Sequence, residues 1–303
     1  MRIRATVAAV TGALALTALA APAAQADAPR IPADSSATSE IARDAGQGKS
    51  AFAAAAADTP YLLDASFSKV KVNNGKNIPV GTTNVVKVPV SFTLTHAADL
   101  DIHASDFVAA VELYRGASFD DPIYFFDSNA ATCTDSSSTV ASCKATVKIN
   151  PSELINEDAG SWKAAAFAVA FNGEDPEYPN MGNVGVAVQD PTNSFKLQRY
   201  SKLTVNASPE PVKKGKTITV TGKLSRANWE TGKYAGYTGQ SVKLQFRKKS
   251  SSTYTTLKTI KTNSTGNLST TVTAGVDGYY RYAFAGTSTT PAVNAAGDFV
   301  DVQ

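Results

Sequence analysis

The chain has 303 residues, of which 43% are hydrophobic and 18% charged, and its net charge of +3 conceals two oppositely charged halves. Residues 61–199 hold 10 lysines and arginines against 16 aspartates and glutamates, whereas residues 200–303 hold 14 against 5. This asymmetry excludes a chain of uniform charge. It predicts two separately folded units that either have different partners or attract each other.

The N-terminus has the three parts of a secretory signal. Two arginines lie among the first four residues, an alanine- and leucine-rich apolar run covers 11–21, and small residues at 24 and 26 fit a cleavage site. We therefore assign 1–26 to a signal peptide and expect a secreted protein, at most loosely associated with the cell wall. The apolar run is too short to predict a membrane span.

Residues 27–60 contain few large apolar side chains, and 51–57 is almost pure alanine. A segment of this composition has no face to bury against a core. The sequence therefore predicts a flexible spacer between the signal and the first folded unit.

From Tyr61 the hydrophobic period changes to two. Apolar and polar residues alternate from Val86 to Leu94, and three similar runs follow before residue 172. Pro89 predicts that the first of these strands lies at a sheet edge or a bulge, because proline cannot donate to the ladder. Seven or eight short strands without a helical period predict an acidic immunoglobulin-like β-sandwich over 61–199.

Two cysteines remain after the signal, Cys133 and Cys143. An exported protein meets an oxidising environment, in which such a pair usually closes. A redox dithiol would have the C-x-x-C spacing, which this pair lacks. We predict a structural disulfide that contributes about 3 kcal/mol by restricting the unfolded chain.

The second half alternates more clearly than the first. Seven candidate strands, punctuated by glycines, lie within residues 200–303. This number and spacing predict a second, basic immunoglobulin-like sandwich, so the fold class is all-β with two tandem sandwiches. The antibody-type cysteine pair and buried tryptophan are absent from this half, so the prediction rests on the pattern.

Several sequence segments of this half are similar to the strands and turns of bacterial Ig-like domains in exported proteins of streptomycete-type actinobacteria. They are Thr219–Gly222, Val242–Arg247, Gly278–Tyr282 and 285–287. With the upstream phrase at 158–163, nearly the whole mature chain resembles secreted two-domain members of that group, some of which are labelled calcium-binding. The resemblance implies fold and export and brings no catalytic motif.

Signatures of enzymes are missing from the sequence. It contains no G-x-S-x-G elbow, no H-E-x-x-H, no C-x-x-C pair and no phosphate-binding glycine loop. His96 and His103 are the two possible imidazole bases, and no serine is marked as their partner. We predict a protein without catalytic residues or cofactor, and an unrecognised hydrolase is the weakest alternative.

Calcium is the one cofactor that the acidic half suggests. Calcium takes several carboxylate and carbonyl oxygens, and these aspartates could converge at one end of the first sandwich. The spacing does not meet the EF-hand pattern, and acidic loops are usually only solvated. The candidate metal ligands are Asp99, Asp101, Asp106, Asp120 and Asp121.

The basic half suggests a binding surface. Lys243, Gln245 and Arg247 alternate with apolar residues and should line the outer face of one strand, which Lys248, Lys249, Lys258 and Lys261 extend. Such a patch attracts polyanions such as teichoic acids or acidic polysaccharide. A lysine-rich face that only prevents edge pairing is the alternative. Specific nucleic-acid binding is not predicted, since only Tyr254 supplies an aromatic ring nearby.

Three aromatic residues lie in the segment 225–241, which we interpret as a loop: Trp229, Tyr234 and Tyr237. Flat rings on a loop can stack on sugars, which makes them candidate ligand-binding residues beside Lys243 and Arg247. Alternatively, the rings fold back over the end of the sandwich. The sequence thus predicts a secreted binding or structural protein at the cell envelope. Its partner is a cell-wall polyanion, a polysaccharide or another secreted protein, and calcium or carbohydrate binding is the alternative.

Overall fold

The computed structural model describes residues 37–47 and 59–303. The predicted signal peptide at 1–26 lies outside the described residues, as does most of the predicted spacer at 27–60. The described chain is all β apart from one α-helix, α1 (Ala37–Gln47), and four short 3₁₀ turns. The turns are Asn73–Gly75, Pro151–Glu153, Asn156–Asp158 and Met181–Asn183.

Ten strands build the first sandwich. They are β1 (Tyr61–Leu62), β2 (Ala65–Val72), β3 (Ile78–Val80), β4 (Val86–His96), β5 (Phe107–Gly116), β6 (Pro122–Asp127), β7 (Thr132–Ser137), β8 (Val140–Ile149), β9 (Gly160–Ala170) and β10 (Gly185–Arg199). One sheet has the order β2-β4-β8-β7. The facing sheet has the order β1-β10-β9-β5-β6, and β3 also pairs with β10.

The core of the first sandwich follows from the alternation in the sequence. Val88, Val90 and Leu94 of β4 are buried against side chains of the facing sheet. Trp162 of β9 is buried beside them, and its ring lies 5.7 Å from that of Phe126. Every second residue therefore faces the same interior, as expected for a half-buried strand.

The predicted disulfide between Cys133 and Cys143 is confirmed. The two cysteines face each other on the neighbouring strands β7 and β8 of one sheet. This bond differs from the antibody bridge, which joins two sheets. It fastens the edge strand β7, whose side chains are largely exposed.

The edge position predicted from Pro89 is wrong, because β4 lies inside its sheet between β2 and β8. Opposite Pro89, the backbone N–H and C=O of Thr146 bond Asn129 instead of β4. The proline nitrogen therefore points towards β2, whose pairing with β4 ends at Val90. No ladder hydrogen bond is lost at this position.

The second sandwich also has ten strands. They are β11 (Ser201–Leu203), β12 (Asn206–Ser208), β13 (Thr217–Asn228), β14 (Lys233–Gly236), β15 (Ser241–Lys248), β16 (Thr255–Lys261), β17 (Asn267–Thr273), β18 (Gly278–Phe284), β19 (Val293–Asn294) and β20 (Asp298–Val300). In one sheet β11, β12, β14 and β17 all pair with β13, and the other has the order β16-β15-β18 with β19 and β20 on β18. Both domains are immunoglobulin-like sandwiches, as predicted.

The prediction that 27–60 is a flexible spacer is wrong for part of that segment, because helix α1 lies within it. Ala42 of α1 is fully buried, and Ile41 and Ala45 pack beside it against β9 and β10. The overall composition hid these few apolar side chains, which share one side of the helix because their spacing is three to four residues.

The two sandwiches pack directly on each other. The chain passes from β10 into β11 at Tyr200, and Tyr200 N donates to Val80 O at 2.8 Å. Arg199 is buried in this junction, and its Nε donates to Ala227 O at 2.6 Å. Burial, together with the charge of Arg226, lowers the pKa of Arg199 to about 10. The junction is therefore an ordered interface.

Candidate binding surface on the second sandwich

The outward residues of β15 form one part of a charged surface. Val242 and Leu244 point into the core and are fully buried. Because side chains alternate along a strand, Lys243, Gln245 and Arg247 face outward. Lys243 is exposed, and Gln245 and Arg247 are half-buried among neighbouring side chains.

The neighbouring strands supply aromatic rings and a second arginine. Tyr280 and Tyr282 of β18 point inward and are buried, which leaves Tyr279 and Arg281 on the outer face. Tyr279 lies opposite Arg247 on one side. On its other side it lies opposite Phe299 of β20. The sheet register thus aligns an arginine and two rings across three strands.

The side chains of this row are stacked. The Arg247 guanidinium lies 3.8 Å from the centre of the Tyr279 ring and 5.4 Å from that of Tyr254. The Arg281 guanidinium lies 3.8 Å from the centre of the same Tyr254 ring. The rings of Tyr279 and Phe299 are 5.1 Å apart. We call these five residues the arginine–tyrosine face.

Tyr254 reaches this face from the connection between β15 and β16. A β-carbon at Gly297 would lie 2.2 Å from the Tyr254 hydroxyl oxygen, so a larger residue there would require the Tyr254 ring to shift. Tyr254 contacts both guanidinium groups, so one ring links the two arginines. Stacking on aromatic faces fixes the planes of the guanidinium groups and leaves their N–H edges directed outward.

The two arginines retain hydrogen-bonding capacity. Arg281 Nε donates to Gln245 Oε1 at 2.9 Å, and Arg247 donates through one terminal nitrogen to Ser251 O at 2.8 Å. Among the residues that the structure describes, no carboxylate forms an ion pair with either arginine. The nearest described ion pair is at the margin, where Lys249 Nζ lies 3.8 Å from Asp277. An anionic ligand can therefore approach the face without displacing a carboxylate.

Sequence reasoning found only part of this face. It identified Arg247 on an outward strand face, but it did not single out Tyr279, Arg281 or Phe299. The alternation in Gly278–Phe284 does mark Tyr279 and Arg281 as outward, whereas their partners depend on sheet order. The predicted extension to Lys258 is wrong, because Lys258 Nζ bonds Thr271 O of the opposite sheet at 2.7 Å.

The predicted aromatic loop is a hairpin of β13 and β14, and its three rings have different environments. Trp229 is only 5% exposed and packs in the core of the first sandwich, so it offers no open ring face. Tyr237 packs edge-on against Phe284 and is stacked by Arg226. Of the three, Tyr234 lines an open cleft. The expectation of exposed rings on a loop is therefore wrong for Trp229.

This cleft lies at the junction of the two sandwiches and has a volume of about 510 Å³. Lys202 Nζ lies 3.7 Å from the centre of the Tyr234 ring, so one ring face is covered. Tyr200, which is 45% exposed, lines the same cleft. Its remaining polar lining comes from the loop between β3 and β4, with Thr82, Thr83 and Asn84.

The candidate calcium ligands do not converge. Asp101 accepts a hydrogen bond from His103 N, and Asp106 accepts one from Gly173 N in another loop. In the described part of the chain, no group of three or more His, Cys, Asp or Glu side chains is arranged to hold a metal. The structure therefore does not assemble Asp99, Asp101, Asp106, Asp120 and Asp121 into one site, and calcium binding stays a prediction.

The two histidines also lack the surroundings of a catalytic base. His103 Nε2 lies 3.0 Å from both carboxylate oxygens of Asp135 on the surface. His96 is buried, and its Nδ1 lies 2.9 Å from Ala97 O. Neither has a serine hydroxyl among its described hydrogen-bond partners.

Within 37–47 and 59–303, no helix has the length and apolar character required to cross a bilayer.

No protein-family model and no curated protein matches the sequence. Solved structures with some similarity include the Yersinia pseudotuberculosis adhesin InvE, at 12% identity over 78% of this chain and 58% of that chain, with a TM-score of 0.24. The D0-D1 domain of intimin is 14% identical over 78% of this chain and 97% of that chain, with a TM-score of 0.24. The mouse nectin-like molecule 4 ectodomain is 13% identical over 80% of this chain and 65% of that chain, with a TM-score of 0.24.

The chain spans less than two thirds of the length of the InvE and nectin-like structures. Superpositions with TM-scores this low carry no argument about function. The immunoglobulin-like architecture rests on the strand order and the two cores described above.

Proposed function

We propose that this chain is an exported, non-catalytic binding protein whose second sandwich associates with anionic polymers at the cell envelope. The observation that supports this proposal best is the arginine–tyrosine face. Its two guanidinium groups are oriented by aromatic stacking, and no described carboxylate neutralises them. Guanidinium edges match the geometry of phosphate and carboxylate groups and bind them in a bidentate manner.

Export is part of the same proposal. It is supported by the signal-like N-terminus and by the disulfide between Cys133 and Cys143, because disulfides persist in oxidising compartments. A surface of stacked aromatics and arginines on an exported sandwich suits long, flexible polyanions, which present repeated charges to it.

We expect the double substitution R247A/R281A to weaken binding of the full chain to immobilised glycerol-phosphate teichoic acid at least tenfold in 0.1 M salt. Each lost charge-assisted hydrogen bond contributes about 1.5–3 kcal/mol, and about 1.4 kcal/mol corresponds to a factor of ten. Surface plasmon resonance at several salt concentrations measures the affinity. The affinity of the unsubstituted chain should fall as the salt concentration rises.

The matched control is K213A/K214A, which removes two positive charges from an exposed turn of the same domain. We expect its affinity to fall less than threefold. An equal loss in both variants would show that only net charge matters. An unchanged affinity in R247A/R281A would show that polymer binding does not use the arginine–tyrosine face.

A second candidate function is the binding of a neutral saccharide in the cleft at the junction. It is supported by the exposed ring of Tyr200 beside hydroxyl and amide side chains, since sugar faces stack on aromatic rings. We expect Y200A to abolish the binding of a chito-oligosaccharide, measured by titration calorimetry, while teichoic acid binding is unchanged. Absence of binding to the unsubstituted chain would exclude this ligand class.

A further inference from the structure

The first sandwich carries a second apolar layer on the outside of its larger sheet. This layer consists of packed aromatic and aliphatic side chains. Its buried members include Tyr114, Phe119, Phe125, Phe167, Val169 and Val186. Uncovered, so many contiguous apolar side chains would form a binding or aggregation surface.

Helix α1 covers this layer and makes specific polar contacts with it. The Arg43 guanidinium lies 4.2 Å from the centre of the Phe125 ring and forms an ion pair with Glu112, whose side chain is fully buried. One turn earlier on the helix, the Ser39 hydroxyl donates to Asp127 Oδ2 at 3.0 Å. The sheet face therefore recognises a helix with serine and arginine spaced four residues apart.

The contacts of Arg43 also explain why the face needs this particular helix. A carboxylate buried among aromatic rings is strongly unfavourable unless a cation accompanies it. Among the described ion pairs, Glu112 receives that cation from α1, 69 residues away in the chain. A helix without the arginine would cover the rings and leave the charge unpaired.

Helix α1 depends on docking for its own stability. It has 11 residues, and helices of this length are marginal in water unless they are docked. Thirteen residues, 48–60, connect it to β1. An extended chain of that length spans about 43 Å. A connection with this reach can place α1 on a neighbouring molecule.

We propose that α1 exchanges between two copies of this chain, each helix covering the apolar sheet face of the other. A second copy carries the same helix and the same face, so a symmetric exchange preserves every contact of Arg43 and Ser39. The long connection lets the helix reach a neighbouring molecule at little cost in loop entropy. This inference does not depend on the ligand of the arginine–tyrosine face.

The first test mixes two full-chain variants with opposite charge changes, R43E and E112R. Each variant alone places like charges between α1 and the sheet, so α1 cannot dock within its own chain. In the mixture, the native Arg43 of the E112R chain meets the native Glu112 of the R43E chain. The two introduced side chains, which also have opposite charges, meet each other at the second docked helix. We expect light scattering after size exclusion to show a dimer in the mixture and monomer in each separate variant.

The matched control for this test is a mixture of K249E and D277K, which reverses an ion pair within the second sandwich. This pair involves no exchangeable element, so no dimer should form. A mixture of R43E and E112R that remains monomeric while both variants are folded would overturn the proposal.

The second test avoids a new charge in the core and applies even where E112R does not fold. Tagged S39C is mixed with untagged D127C and oxidised, because the two side chains touch across the docked helix. We expect a disulfide-linked pair of one tagged and one untagged chain on a non-reducing gel. Tagged S39C mixed with D277C should give no such pair. Failure of S39C with D127C to link would overturn exchange, provided the S39C/D127C double variant closes its own disulfide.

Discussion

Substitution of Trp229 by alanine should lower the free energy of unfolding by about 3–5 kcal/mol, the usual cost of removing a large buried aromatic side chain. The indole belongs to the second sandwich but is packed in the core of the first, where it is 5% exposed. Its Nε1 donates to Gly81 O at 2.9 Å. The substitution therefore removes packing and a hydrogen bond that join the two domains.

We also expect the W229A variant to unfold in two separate thermal transitions. The two sandwiches have their own cores, and their cooperation depends on the interface between them. Scanning calorimetry measures both the midpoint and the number of transitions. Asn156 and Asn228, whose side chains bond across the same interface at 3.0 Å, cannot compensate for the lost indole.

Two controls accompany W229A. Y178A removes a ring that is 84% exposed and should change the free energy of unfolding by less than about 0.5 kcal/mol. W229F keeps a ring but loses the hydrogen-bond donor to Gly81. Its loss in free energy of unfolding should therefore lie between those of Y178A and W229A. An unchanged midpoint for W229A would show that the indole does not couple the domains.

The architecture could be predicted because its signals are local. Alternation with a period of two places Val242 and Leu244 inward wherever the strand lies in the fold. The disulfide was equally accessible, since only two cysteines remain after the signal. Neither inference needs to know which strands are neighbours.

The arginine–tyrosine face could not be predicted because it depends on register. Arg247 and Arg281 lie on strands that become neighbours only when the sheet forms, and Tyr254 joins them from a connection. The same holds for Trp229, whose partner Gly81 is 148 residues away. Sequence spacing does not reveal such contacts.

Helix α1 escapes prediction for a different reason. A helix whose apolar contacts with the sheet come from Ile41, Ala42 and Ala45 barely alters the average composition of the segment 27–60. The spacing of these three residues is a usable signal. The docking contact of Arg43 leaves no such signal in the sequence, because a buried arginine cannot be inferred without knowing its distant carboxylate partner.

The substitution R43M should cost about 3–5 kcal/mol at pH 8, the range found when one member of a buried ion pair is removed. Glu112 stays buried without a cation, or α1 leaves and exposes the aromatic rings beneath it. Urea unfolding of the full chain measures the loss. The double substitution R43M/E112L removes both charges and should recover most of the stability, since apolar replacements of buried pairs are well tolerated.

The pH dependence of the R43M variant has a definite sign. Burial raises the pKa of Glu112 well above its usual value of 4.5, while the Arg43 guanidinium opposes that rise and Asp127 adds to it. The folded protein thus keeps a proton that the unfolded chain has released, so stability falls as the pH rises from 4.5 through the folded pKa. Without Arg43 the pKa of Glu112 rises further, and the fall extends to higher pH.

The stability difference between the unsubstituted chain and R43M should therefore be smaller at pH 5 than at pH 8, because a lower pH favours the protonated form of Glu112. R43M/E112L lacks this titrating group, and its difference from the unsubstituted chain should change less over the same interval. A loss in R43M that is equal at both pH values would contradict the ion pair as its cause. It would instead assign the contribution of Arg43 to its stacking on Phe125.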